Sequence, residues 1–179
     1  MDCPKRCLIS QEAIARRVME LAEQITQDYA GRDLVVVGIL KGVFIFMADL
    51  VRALKIPVEV DFVRLASYGK GTQTSGQVHI TVDVELPLLG RDVLIIEDIV
   101  DSGLTLEFLR HHLAGHQPRS LKICCLIDKK ERREVSVPLD YVGFAVDKGF
   151  LVGYGLDCAE KYRTLPEIYT LETESKNAG

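Results

Sequence analysis

Residues 93–105 read Val-Leu-Ile-Ile-Glu-Asp-Ile-Val-Asp-Ser-Gly-Leu-Thr. Three carboxylates, Glu97, Asp98 and Asp101, stand between an apolar run and a short turn of small and hydroxyl-bearing residues, Ser102-Gly103-Leu104-Thr105. A turn of that kind opening a helix makes an anion site, because the first backbone N–H groups of a helix have no partner inside it. Acids placed directly before such a site would repel the anion unless they hold something else, such as a divalent cation or the hydroxyls of a sugar. A ligand with a phosphate, a diol and a bound metal would satisfy all of these groups together. Taken singly, each residue has a plainer explanation as a strand end or a helix cap. The ordered set favours a ligand site.

Two further strand ends carry chemistry. Lys41-Gly42 follows the apolar run Leu34–Leu40, and a glycine there lets backbone N–H groups come close to an anion. Asp128-Lys129 follows the apolar run Leu121–Ile127. Lys41 and Lys129 could each be no more than solvated charges, and Lys130, Arg132 and Arg133 are expected to be so.

The elements that must position these residues follow from hydrophobic period. Ile14, Val18, Leu21 and Ile25 recur at helical spacing between Ser10, a suitable N-cap, and Tyr29. A second helix is expected over Val43–Leu54 and a third from Thr105 to Leu113. Strands are expected at Leu34–Leu40, Val58–Leu65, Val78–Val82, 93–96, Leu121–Ile127 and 141–144. Residues 67–77 are polar and glycine-rich, and read as a mobile loop. Strands alternating with helices give an α/β domain with a mostly parallel sheet, whose ligands bind beyond the carboxyl ends of the strands. Leu40, Ile96 and Ile127 would then bring their polar neighbours to one rim.

The 179 residues suffice for one domain with a substantial core. A net charge of −4 argues against a nucleic-acid partner. No apolar run reaches the roughly 20 residues of a membrane span, and the N-terminus lacks the apolar stretch of a signal peptide. The five cysteines lack metal-ligand spacing, with Cys124 and Cys125 inside an apolar run, which suits a reducing cytoplasm. The four histidines read as surface or helix-end residues.

The string Ile95–Thr105 resembles the phosphoribosyl pyrophosphate (PRPP) signature of type I phosphoribosyltransferases. The chain from about Ile14 to Leu171 resembles the hypoxanthine-guanine (6-oxopurine) members in particular, through Leu40-Lys41-Gly42, Lys129 and the string Gly149–Asp157. This resemblance implies a type I phosphoribosyltransferase fold, α/β with a mostly parallel twisted sheet flanked by helices. It implies a single domain over 1–179, with a small hood from about residues 1–12 and 148–172 and a flap over about 67–77. The implied activity is purine salvage, PRPP plus hypoxanthine or guanine giving IMP or GMP and pyrophosphate with Mg2+, in a homodimer or homotetramer.

The resemblance also implies roles. Asp101 would be the general base near N7 of the purine. Glu97 and Asp98 would hold the ribose hydroxyls, directly or through Mg2+. Ser102, Gly103, Leu104 and Thr105 would bind the 5′-phosphate. Leu40-Lys41-Gly42, with a cis peptide between its first two residues, and Arg163 would bind pyrophosphate. Lys129 would contact the purine O6, Phe150 would stack on the ring, and the Leu151 backbone would pair with the base edge. Asp157 would bind a second Mg2+, and Ser67-Tyr68 would open the flap. The chain departs from the family pattern at Val43 and Leu104, and at Gly149, where many relatives carry a lysine. The last change could shift base preference towards xanthine. A regulator that keeps the fold to sense nucleotides is the alternative of a different class.

Overall fold

The computed structural model describes residues 5–67 and 78–171. Along the chain run β1 (Lys5–Ile9), α1 (Gln11–Asp28), β2 (Leu34–Leu40), α2 (Phe44–Ala53), β3 (Val58–Ser67) and β4 (Val78–Val82). Then come β5 (Asp92–Val100), α3 (Leu104–Ala114), β6 (Ser120–Lys129), β7 (Tyr141–Val146), β8 (Phe150–Val152) and β9 (Ile168–Leu171). Ser10 caps α1 as its spacing predicts, its Oγ accepting from Ala13 N at 3.3 Å.

Six strands form the main sheet in the order β4-β3-β2-β5-β6-β7, parallel except for the antiparallel β3–β4 pair. Both faces are covered. Leu34, Val36, Leu94, Ile96 and Cys124 point towards the apolar stripe of α1 and towards α2, in a cluster with Ile14, Val18, Leu21 and Ile25. Their neighbours Val35, Val37, Val93, Ile95 and Cys125 point the other way, towards Leu106, Leu109 and Leu113 of α3. Strict alternation with two buried faces is why these strands read as unbroken apolar runs.

Two strands run further than hydrophobicity suggests. β5 continues through Glu97 and Asp98 to Val100, and β6 through Asp128 to Lys129. The polar residues therefore lie within the strands rather than beyond them. The cause is pairing: Glu97 stands opposite Cys125 and Val100 opposite Asp128, so the backbone ladder continues after the apolar run stops.

The second sheet, β1-β9-β8, is antiparallel and joins the N-terminal segment to residues 150–171. It sets Phe150 and Leu151 over the carboxyl ends of β5 and β6, where they share a cavity wall with Asp98, Asp101 and Lys129.

Candidate active site

Three backbone segments meet above the carboxyl ends of β2 and β5. The first is Leu40-Lys41-Gly42, which contains a cis peptide between Leu40 and Lys41. A Cβ on Gly42 would lie 1.8 Å from Asp98 Oδ2, so only glycine lets this loop rest on the second segment, the acid pair. The third is the turn at Gly155, whose φ is +102°; a Cβ there would meet the Gly42 carbonyl at 2.1 Å.

Glu97 and Asp98 are 8% and 9% exposed. Glu97 accepts from Asp98 N at 3.1 Å, and Asp98 accepts from Ile99 N at 2.9 Å. Among the described residues neither is ion-paired with a lysine or arginine. Burial raises the Glu97 carboxyl well above the ordinary carboxylate range, and the adjacent charge of Asp98 adds to this. Burial also raises Asp98. Two buried carboxylates side by side, with the Arg163 charge only partly offsetting burial at Asp98, supply the hard oxygen ligands that suit Mg2+. Asp157 is more committed: one oxygen lies 2.9 Å from Arg163 Nη2 and the other accepts from Glu160 N at 2.8 Å.

The anion turn follows β5. Gly103 is the N-cap of α3 at φ +87°, and a Cβ there would come within 2.5 Å of the Val135 carbonyl. Ser102 Oγ accepts from Leu104 N at 3.3 Å, and its carbonyl accepts from Glu134 N and Val135 N at 2.9 and 3.0 Å. Glu97, Asp98, Asp101, Ser102, Gly103 and Thr105 line a cavity of about 250 Å³ there. Asp101 does not cap the helix. Its Oδ2 lies 3.2 Å from Lys129 Nζ, and its Oδ1 is buried without a partner.

A second cavity of about 470 Å³ adjoins the first, with Asp98 and Asp101 on the walls of both. Lys129, Phe150, Leu151 and Asp157 also line it, together with Ile99, Glu131, Arg132, Gly149 and Leu156. Lys129 is 6% exposed and reaches Glu131 at 3.4 Å as well as Asp101. Phe150 is 47% exposed, so its ring presents apolar area to the cavity mouth rather than to the core. Gly149, at φ +119°, donates its N–H to Glu131 at 3.2 Å.

The remaining sequence-predicted residues fall into two groups. Lys41 and Arg163 converge on one carboxylate, Glu160, at 2.9 and 3.1 Å. Ser67 ends β3, and Tyr68 with the rest of the expected flap lies outside the described residues. A further cavity of about 520 Å³ lies between α1, α2 and residues 164–166, without any of the site residues. Three contributors escaped the sequence reading. Arg133, expected in solvent, is largely buried and donates to the carbonyls of Val100, Asp101 and Lys129 at 3.0, 2.9 and 3.1 Å. It thereby ties together the strand ends that carry Asp101 and Lys129. Glu131 and Glu160 were also missed. Their only signal was closeness in sequence to Lys129 and Arg163.

Residues 8–159 match the family model described as the phosphoribosyl transferase domain. The chain is 48% identical over 168 residues to the hypoxanthine-guanine phosphoribosyltransferase of Aquifex aeolicus, covering 93% of this chain and 94% of that protein. It is 48% identical over 163 residues to the hypoxanthine phosphoribosyltransferase of Salmonella typhimurium, covering 90% and 92%. A crystal structure of a Bacillus anthracis hypoxanthine-guanine phosphoribosyltransferase, with a HEPES molecule in its active site, superposes with a TM-score of 0.88 at 46% identity, covering 96% of this chain and 99% of that one. With these relatives and this sheet order, the chain belongs to the phosphoribosyltransferase family, among its hypoxanthine-guanine members.

Proposed function

We propose that this protein is a purine-salvage transferase converting PRPP and hypoxanthine or guanine to IMP or GMP and pyrophosphate. The observation that carries this is the position of Asp101, on the wall shared by the two cavities and 3.2 Å from Lys129. The smaller cavity has the donors for a 5′-phosphate: the free N–H groups opening α3 and the hydroxyls of Ser102 and Thr105. Leu104 does not line this cavity, and its N–H is already committed to Ser102 Oγ. The larger one has an aromatic face, Phe150, and a buried ammonium, Lys129, for a heterocycle bearing a carbonyl.

In the reaction the bond from C1′ to the pyrophosphate oxygen breaks as N9 of the base bonds to C1′. Glu97 and Asp98 hold the ribose hydroxyls while positive charge spreads over C1′ and the ring oxygen. Lys41, the amides around Gly42 and Arg163 receive the departing pyrophosphate. The base loses one proton, and Asp101 takes it. Lys129 donates to the 6-oxo group; an ammonium has no acceptor for a 6-amino group, so adenine is disfavoured. The Leu151 backbone pairs with the base edge, and Ser67-Tyr68 open a flap that excludes water from the reacting centre. Glu97, Asp98 and Asp157 are the residues that would hold Mg2+, which when bound neutralises charge on the phosphate oxygens. The buried free thiols Cys124 and Cys125 support a cytoplasmic setting, and a homodimer or homotetramer is what the family resemblance implies.

The test is purified protein with PRPP and Mg2+ and each of hypoxanthine, guanine, xanthine and adenine, followed by nucleotide formation. IMP and GMP are the expected products. XMP as the main product would move the preference to xanthine, and no nucleotide from any base would overturn the reading.

A further inference from the structure

We propose that Asp83, His112 and His116 form a binding site for a transition-metal dication of the zinc class. The site lies at the far end of α3 from the anion turn. That helix has eleven residues, which at about 1.5 Å each separates the two by about 16 Å. None of the three residues lines either cavity of the candidate active site.

The geometry comes from two elements. His112 is in the last turn of α3, and His116 follows four residues later, just past the Gly115 cap, so the two rings fall on one side. They meet edge to face with centroids 5.3 Å apart. Asp83 arrives from the other element, immediately after β4, and both of its oxygens lie within 3.0 Å of His112 Nε2. One ligand atom from each of the three residues lies within 4.8 Å of the others. A dication held about 2.0–2.1 Å from imidazole nitrogen and carboxylate oxygen sets tetrahedral ligand atoms about 3.4 Å apart. Surface side chains can close that difference by rotation.

The ligand types select the ion. Two imidazoles and a carboxylate suit zinc, nickel, copper or cobalt, whereas Mg2+ prefers oxygen alone. The chain would then hold two dication sites of opposite character: oxygen-only at Glu97 and Asp98, nitrogen-rich at His112 and His116. Three protein ligands leave a fourth position for water. The bound ion would staple the segment leaving edge strand β4 to the helix whose other end forms the anion turn. It would stabilise the fold by an amount that grows with the logarithm of the free ion concentration above its Kd. Without the ion, the Asp83 carboxylate pairs with His112 and accepts from Val84 N at 2.8 Å.

The site is independent of the transferase reading, and its test separates the two. Metal-free protein is titrated with Zn2+ by calorimetry in excess Mg2+, with His112→Ala, His116→Ala and Asp83→Asn alongside. The wild type is expected to take up one Zn2+ per chain at a site that each variant weakens at least about tenfold. Zn2+ should raise the melting temperature of the wild type and not of His112→Ala/His116→Ala. Without zinc the variants should keep a cooperative thermal unfolding transition like that of the wild type, which shows that they fold. Equal Zn2+ affinity in wild type and both histidine variants, or no saturable uptake, would overturn the proposal.

Discussion

Lys129 Nζ and Asp101 Oδ2 lie 3.2 Å apart, joining the end of β6 to the residue that follows β5. The other Asp101 oxygen is buried and has no partner. The Asp101 carboxylate, about a third exposed, is thus engaged by an ammonium through one oxygen and lines the cavity beside Lys129. If Asp101 takes the base proton, Asp101→Asn removes the acceptor and keeps the shape. Turnover should fall by about 10²–10⁴-fold, while PRPP binding measured by calorimetry changes little. An equal loss in both would assign Asp101 to substrate binding instead.

Glu160 occupies Lys41 and Arg163 at once, at 2.9 and 3.1 Å, from a tight turn in which Ala159, Glu160 and Tyr162 have φ values of 50°, 62° and 75°. It stands where an incoming pyrophosphate would compete for the same two cations. Glu160→Gln should therefore lower KM for PRPP by about threefold, a modest factor because exposed ion pairs are weak, with KM for the base unchanged. A raised KM for PRPP would instead make Glu160 a support for Lys41.

Gly42 is the point of closest approach between the loop after β2 and the acid pair. A methyl group there would meet Asp98 Oδ2 at 1.8 Å. Gly42→Ala should push the loop off the acids and cost about 1–3 kcal/mol of stability, with nucleotide formation largely lost. A melting temperature and turnover equal to wild type would mean that the contact is dispensable.

The site was legible where its residues are continuous in sequence, and illegible where they meet across the fold. The stretch 93–105 displayed its acids and anion turn directly, and the apolar runs of β2, β5 and β6 identified a buried sheet. Arg133 looked like one charge in a charged run, because two of its partners, the Val100 and Asp101 carbonyls, come within reach only once β5 and β6 lie side by side. Glu160 reaches Lys41 across 119 residues of sequence. The β1–β9 pairing likewise joins Lys5 to Leu171, and β8 is only three residues long, too short for periodicity to reveal. The end of β5 was misplaced because acids inside a strand contradict its apolar pattern. Glu97 and Asp98 remain in the ladder since the sheet opens there onto a cavity rather than a core.

Away from the site, Asp92 starts β5 fully buried, and hydrogen bonds from Arg119 and Ser120 reach its carboxylate. Arg119, the larger cause, holds the Asp92 carboxyl below the usual carboxylate range despite burial. A depressed folded value means that the contribution is present above the unfolded pKa of about 3.9 and is lost as pH falls through the folded value. Because Arg119 is half exposed, the pair is screened, and Asp92→Asn should cost about 1 kcal/mol at neutral pH. The gap in melting temperature between wild type and variant should narrow as pH drops below about 4. A gap that stays constant from neutral to acid pH would contradict the assignment.

The most direct measurement is kcat/KM for hypoxanthine and for adenine, in the wild type and in Lys129→Met, with PRPP and Mg2+ saturating. The wild type should favour hypoxanthine by at least about a hundredfold, and Lys129→Met should lose most of that preference through its hypoxanthine rate. A wild type that uses adenine as well as hypoxanthine, or a variant that keeps the full preference, would contradict recognition of the 6-oxo group by Lys129.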